Sequence, residues 1–94
     1  MPITPENLPK HELIGLHCEV VESTDENQAG IEGEVMDETK DMLRIGDKKV
    51  EKKNCIFRFT LPDGQKVKLD GRLIAKRPEE RVKMKLPDKW EYVE

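Results

Sequence analysis

Apolar side chains along the middle of the chain recur at every second position, in short runs broken by polar or glycine-containing turns. That period of two predicts half-buried strands. Within residues 15–23, Leu16, Cys18 and Val20 share one face while His17, Glu19 and Val21 share the other. Residues 24–30 are rich in turn formers. Ile31, Gly33 and Val35 then alternate with Glu32, Glu34 and Met36, and an inward Gly33 predicts a sharp bend or close packing. Leu43 and Ile45 make a short third strand closed by Gly46 and Asp47, with Val50 following among lysines. The clearest alternation sets Cys55, Phe57, Phe59 and Leu61 against Ile56, Arg58 and Thr60, so this strand is expected to carry the core. Leu61-Pro62-Asp63-Gly64 signals a hairpin, Val67 and Leu69 mark its return strand, and residues 73–75 read as a last short strand after Gly71.

The flanks read differently. Pro2, Pro5 and Pro9 predict an extended or frayed start, with a short helix between Asn7 and Ile14 beginning near Pro9. Pro78 followed by Glu79 and Glu80, then by Arg81, Lys83 and Lys85, puts acids first and bases last and predicts a short helix over residues 78–85. The chain after Pro87 reads as a loose tail. The expected fold is therefore all-β: five or six curved antiparallel strands closing into a small barrel, with short flanking helices and disordered termini. Residues 1–12 form the flexible or short helical N-terminal segment, 13–85 the barrel domain with its C-terminal helix, and 86–94 the flexible tail.

A length of 94 residues bounds this to one small domain. No apolar run approaches the roughly 20 residues of a membrane-spanning helix, and the first ten residues lack the basic start and apolar middle of a secretory signal, so the expectation is a soluble cytoplasmic protein without membrane contact. Cys18 and Cys55 stand far apart with no CxxC or Cys/His spacing, which gives poor support to a disulfide scaffold or a zinc site. On inward faces they act as small apolar residues.

Charge changes the picture more. The formal net charge is −3, yet residues 1–47 hold 3 basic against 12 acidic side chains and residues 48–94 hold 14 basic against 8 acidic, so the halves carry −9 and +6. Segregation of this kind can offer a cationic face to a polyanion from an acidic molecule; solvated strands and a charged helix produce the same pattern. Lys48, Lys49, Lys52 and Lys53 precede the Phe57/Phe59 strand, Arg58 points away from its core face, and Lys66 and Lys68 lie outward on the neighbouring strand. Arg72, Lys76, Arg77, Arg81, Lys83 and Lys85 extend the set. Lys52, Lys53, Arg58, Lys66, Lys68, Arg72, Lys76, Arg77 and Arg81 are the expected phosphate contacts, a density that suits backbone binding without base reading. With four aromatic residues, two of them needed in the core, base stacking has few candidates, and structured RNA recognised by shape is the more natural target.

Catalytic chemistry finds little footing. His11 and His17 each adjoin a glutamate, but sequence neighbours in a strand face opposite ways, and no motif supplies a third ligand. Asp25, Glu26, Asp37, Glu38 and Asp41 lack the spaced ligand pattern of an EF-hand and read as solvated loops. No GxSxG, GxxxxGK[ST], HExxH or GxGxxG sequence occurs, so no catalytic residues and no protein-bound metal or cofactor are assigned.

Taken in order, Leu13-Ile14-Gly15-Leu16, Gly30-Ile31-Glu32-Gly33-Glu34-Val35-Met36-Asp37-Glu38-Thr39, Phe57-Arg58-Phe59 with Gly71, and Arg77-Pro78-Glu79-Glu80-Arg81 resemble the archaeal ribonuclease P protein component 1 family, over about residues 13–85. The resemblance implies an Sm-like barrel, and a noncatalytic RNA-binding subunit of the ribonucleoprotein that removes the 5′ leader from precursor tRNA. The RNA subunit, with magnesium, would perform the hydrolysis. It further implies pairing with a small zinc-ribbon protein subunit and with other ribonuclease P proteins. On that reading the acidic half is expected to face the protein partner. The alternative is an Sm/SH3-like interaction adaptor that never touches RNA.

Overall fold

The computed structural model describes residues 7–81. Six strands form, β1 (His17–Ser23), β2 (Glu32–Glu38), β3 (Met42–Ile45), β4 (Lys48–Glu51), β5 (Cys55–Thr60) and β6 (Lys66–Asp70), all antiparallel to their neighbours in the order β4-β3-β2-β1-β5-β6. The alternation read from the sequence is the alternation of burial: Cys18 and Val20, then Phe57 and Phe59, then Val67 and Leu69 point inward. Both wings of the sheet share β2, whose first half pairs with β1 and whose second half pairs with β3. Gly33, paired with Cys18 beside that crossover, has a φ of +154°, which favours glycine, while its Cβ position lies in ordinary contact, 3.5 Å from Ile45 Cγ2.

One cluster of apolar side chains fills the fold of the sheet, from Leu43, Ile45 and Val50 on one wing to Phe57, Phe59 and Val67 on the other. The Phe57 and Phe59 rings lie 5.9 Å apart, tilted by 46°. Leu8, Leu13 and Ile74 seal the ends of this core. Burial of that apolar surface supplies the main driving force of a domain this size.

The expected barrel does not close. The edge strands β4 and β6 are not paired with each other; the gap is filled by two 3-10 turns, Lys52–Asn54 and Gly71–Ile74, which pack together. Their backbones approach so closely that a Cβ on Gly71 would collide with the Lys52 carbonyl. The strand expected over residues 73–75 is replaced by the second turn, because the Asp70 carboxylate accepts the Arg72 N–H at 2.9 Å and because half-buried Leu73 and buried Ile74 are consecutive, which a strand cannot bury on one face. β4, with Val50 as its one apolar residue, emerges as a full strand by pairing along β3. Of the N-terminal helix only the turn Leu8–Lys10 forms, and α1 (Pro78–Arg81) is the described part of the C-terminal one. The expectations for residues 1–6 and 82–94 lie outside the described residues.

Candidate nucleic-acid interface

Residues opposite one another in neighbouring antiparallel strands point to the same side, so the register draws the outer surface row by row. Glu32, Glu19, Arg58 and Lys68 make one row across β2, β1, β5 and β6; Glu34, His17, Thr60 and Lys66 make the next. Each row runs from acid on the central strands to lysine on the edge strand. Arg58 Nη1 donates to Glu19 Oε1 at 3.2 Å, with both side chains about one-third exposed, and His17 Nε2 lies 3.8 Å from Glu32 Oε2. Lys66 and Lys68 have no acidic partner among the described residues.

The other expected contacts scatter. Lys53 is exposed on the first 3-10 turn, where it borders a groove with Glu22, Asn54, Ile56, Asp70 and Arg72. Arg72 is exposed but committed: its Nη2 donates to Asp70 Oδ2 at 2.7 Å, and these bonds hold the Asp70 carboxyl below the usual carboxylate range. Lys76 and Arg77 are exposed where the chain enters α1, and Arg77 borders an open hollow with Lys40, Asp41 and Glu79. Lys83 and Lys85 lie outside the described residues.

Lys52 and Arg81 are corrected outright, for they are interior rather than surface cations, 0% and 1% exposed. Both bind one carboxylate, that of buried Glu38. Lys52 Nζ donates to Glu38 Oε2 at 2.7 Å, to the Thr39 carbonyl at 2.7 Å and to the Lys76 carbonyl at 3.3 Å. Arg81 Nη2 donates to Glu38 Oε1 at 2.7 Å, while its Nη1 donates to the carbonyls of Pro9 at 3.0 Å and His11 at 2.7 Å. Burial pushes the Lys52 ammonium below its ordinary value, opposed by Glu38, and lowers the Arg81 guanidinium against the same carboxylate. The triad ties both ends of the described chain to β2, a structural task that leaves neither cation for phosphate. Glu38, read as part of a solvated loop, is its centre.

The acidic and basic halves do not become two faces either. β1, from the acidic half, lies against β5, and Glu19 is bonded to Arg58. Cys18 and Cys55 are buried free thiols, both pushed up by desolvation. His11 Nδ1 lies 3.0 Å from the Glu12 carbonyl. Among the described residues no three His, Cys, Asp or Glu side chains gather as a metal site.

An open antiparallel sheet whose outer rows grade from acid to lysine defines a small all-β module with a charged outer surface. The chain belongs to the ribonuclease P/MRP subunit p29 family, whose model matches residues 6–84. It is 45% identical over 87 residues to ribonuclease P protein component 1 of Methanosphaera stadtmanae, covering 88% of this chain and 94% of that one. The Methanocaldococcus jannaschii protein of the same name is 44% identical over 95 residues, covering 96% and 99%. A solved structure, Mth11, described as a homologue of human RNase P protein Rpp29, superposes with a TM-score of 0.56 at 41% identity, covering 76% of this chain and 97% of that one.

Proposed function

We propose that the chain is a noncatalytic RNA-binding subunit of ribonuclease P, holding the RNA subunit by phosphate contacts while that RNA removes the 5′ leader from precursor tRNA. The observation that carries the reading is the unpartnered lysine edge of β6 beside Arg58, in a chain of this family. Arg58, Lys66 and Lys68 meet phosphate first, with Lys53, Lys76 and Arg77 on the neighbouring turns. Magnesium serves the RNA in this reading and takes no ligand from the protein.

The protein partner, a zinc-ribbon subunit, meets the apolar side chains exposed on β2 and on the segment before β1. Among the described residues Ile14 and Met36, exposed by 44% and 47%, are the large apolar side chains left open, on segments joined by hydrogen bonds from Gly15 N–H to the Val35 carbonyl and from Val35 N–H to the Leu16 carbonyl. Apolar exposure of this kind suits a protein contact better than a phosphate. The test is reconstitution of leader cleavage from the RNA and the remaining subunits, with and without this chain. Stimulation by the chain, reduced in an Arg58→Gln/Lys66→Gln/Lys68→Gln variant, is the expected result. Cleavage indifferent to its presence overturns the proposal.

A further inference from the structure

The sheet carries a second row of the same composition as the one at Arg58. Asp37 of β2 stands opposite Arg44 of β3, and Arg44 opposite Lys49 of β4. Each wing thus reads acid, arginine, lysine from a central strand to an edge strand: Glu19, Arg58 and Lys68 on one, Asp37, Arg44 and Lys49 on the other. Arg44 and Lys49 are both exposed, and among the described residues neither enters an ion pair. Asp37, the acid of their row, accepts the Glu38 N–H on Oδ1 at 2.8 Å instead. Two cations directly opposite on adjacent strands repel each other, and although Asp37 lines the same hollow, neither cation closes an ion pair with it. An anion between them removes the repulsion.

We infer that Arg44 and Lys49 form a second phosphate contact, for a stretch of RNA backbone separate from the one at Arg58 and Lys68, so that the chain bridges two stretches of RNA. The inference rests on the RNA-binding reading above. Separation follows from the fold: the inner sides of both wings meet in one core, so their outer rows look in different directions. Counting charge by chain halves hid the site, because Arg44 falls in the acidic half and Lys49 in the basic one.

The test uses the full chain and the ribonuclease P RNA of its own organism. An iron chelate is tethered at Glu51→Cys on β4 or, separately, at Gln65→Cys before β6; both positions are exposed, and buried Cys18 and Cys55 do not take the label. The expected result is hydroxyl-radical cleavage of two non-overlapping RNA stretches. An Arg44→Gln/Lys49→Gln variant is expected to weaken binding and to flatten the log–log salt dependence by about 1.4 for single strand or about 1.8 for duplex, at a melting temperature no lower than the parent's. Cleavage from position 65 alone, or of one shared stretch from both positions, overturns the bridge and leaves the RNA-binding reading standing. No cleavage from either position overturns both.

Discussion

Replacing Glu38 by Gln changes almost no volume but leaves Lys52 and Arg81 facing each other in the interior without their shared carboxylate. All three side chains are essentially inaccessible to water, at 0%, 0% and 1% exposure. Breaking a buried ion pair by removing one partner costs about 3–5 kcal/mol, because the charge left behind is uncompensated. For a domain of this size, with total stability of about 5–15 kcal/mol, the midpoint should fall by roughly 12–40 °C in thermal unfolding followed by circular dichroism. Hydrogen exchange should quicken in the Leu8–Lys10 turn and in α1 together, since Arg81 holds the Pro9 and His11 carbonyls only while Glu38 holds Arg81. A Glu38→Leu/Lys52→Met/Arg81→Met variant removes all three ions together and should recover part of the loss, the remainder reflecting the Thr39, Lys76, Pro9 and His11 carbonyls that lose their donors. A Glu38→Gln loss below about 1 kcal/mol would refute the view that this carboxylate is a dry, shared counter-ion.

Other expectations follow from single features. Native Cys18 and Cys55 should resist Ellman's reagent at neutral pH and react on unfolding; above about pH 9 the unfolded chain ionises its thiols while the fold keeps them protonated, so stability should fall as pH rises, by up to about 1.4 kcal/mol per pH unit for each thiol. Urea unfolding at pH 8 and pH 10 checks the sign, and a Cys18→Ala/Cys55→Ala variant with an unaltered slope would reject it. Gly71→Ala should cost at least about 1–3 kcal/mol, because its methyl group meets the Lys52 backbone rather than a movable side chain. Arg58→Gln/Lys68→Gln should flatten the salt dependence of RNA binding by about 1.4–1.8, whereas Lys52→Met should leave that slope unchanged despite removing a cation.

The strands that proved legible are those with apolar residues at alternate places: β1, β5 and β6 announce themselves through Cys18 and Val20, Phe57 and Phe59, and Val67 and Leu69. β4 was hidden because Val50 alone gives no period to count; its register comes from β3. Glu38 was hidden for a sharper reason. An unbroken strand would carry the inward face from Gly33 and Val35 to Asp37, but the pairing with β3 slips between Val35 and Asp37, and Glu38 turns inward opposite Leu43. A bulge of this kind leaves no mark in a period of two. Lys52, in turn, sits in a run of lysines that reads as solvated, and its burial follows from the turn packing at Gly71. Of the nine cations expected to meet phosphate, the sequence could place Arg58, Lys66 and Lys68 on one outward face through the Phe57/Phe59 alternation, but residue type alone does not separate a buried lysine from an exposed one.

Charge on this protein is ordered by strand position rather than by chain half. Glu19, Glu32, Glu34 and Asp37 stand on the two central strands, and Lys49, Lys66 and Lys68 on the two edges. Lysines on edge strands discourage pairing with the edge of another sheet, which a sheet left open between β4 and β6 requires. The same placement sets unpaired lysines on both margins, beside Glu51 and Asp70, and most strand carboxylates on the two central strands, so a polyanion is repelled most from the centre of the surface. A continuous basic patch would bind one backbone segment wherever it landed. Two lysine margins separated by an acidic centre instead favour RNA that approaches from the sides, which is how a small, acidic chain can bind RNA strongly enough to matter without becoming indiscriminate.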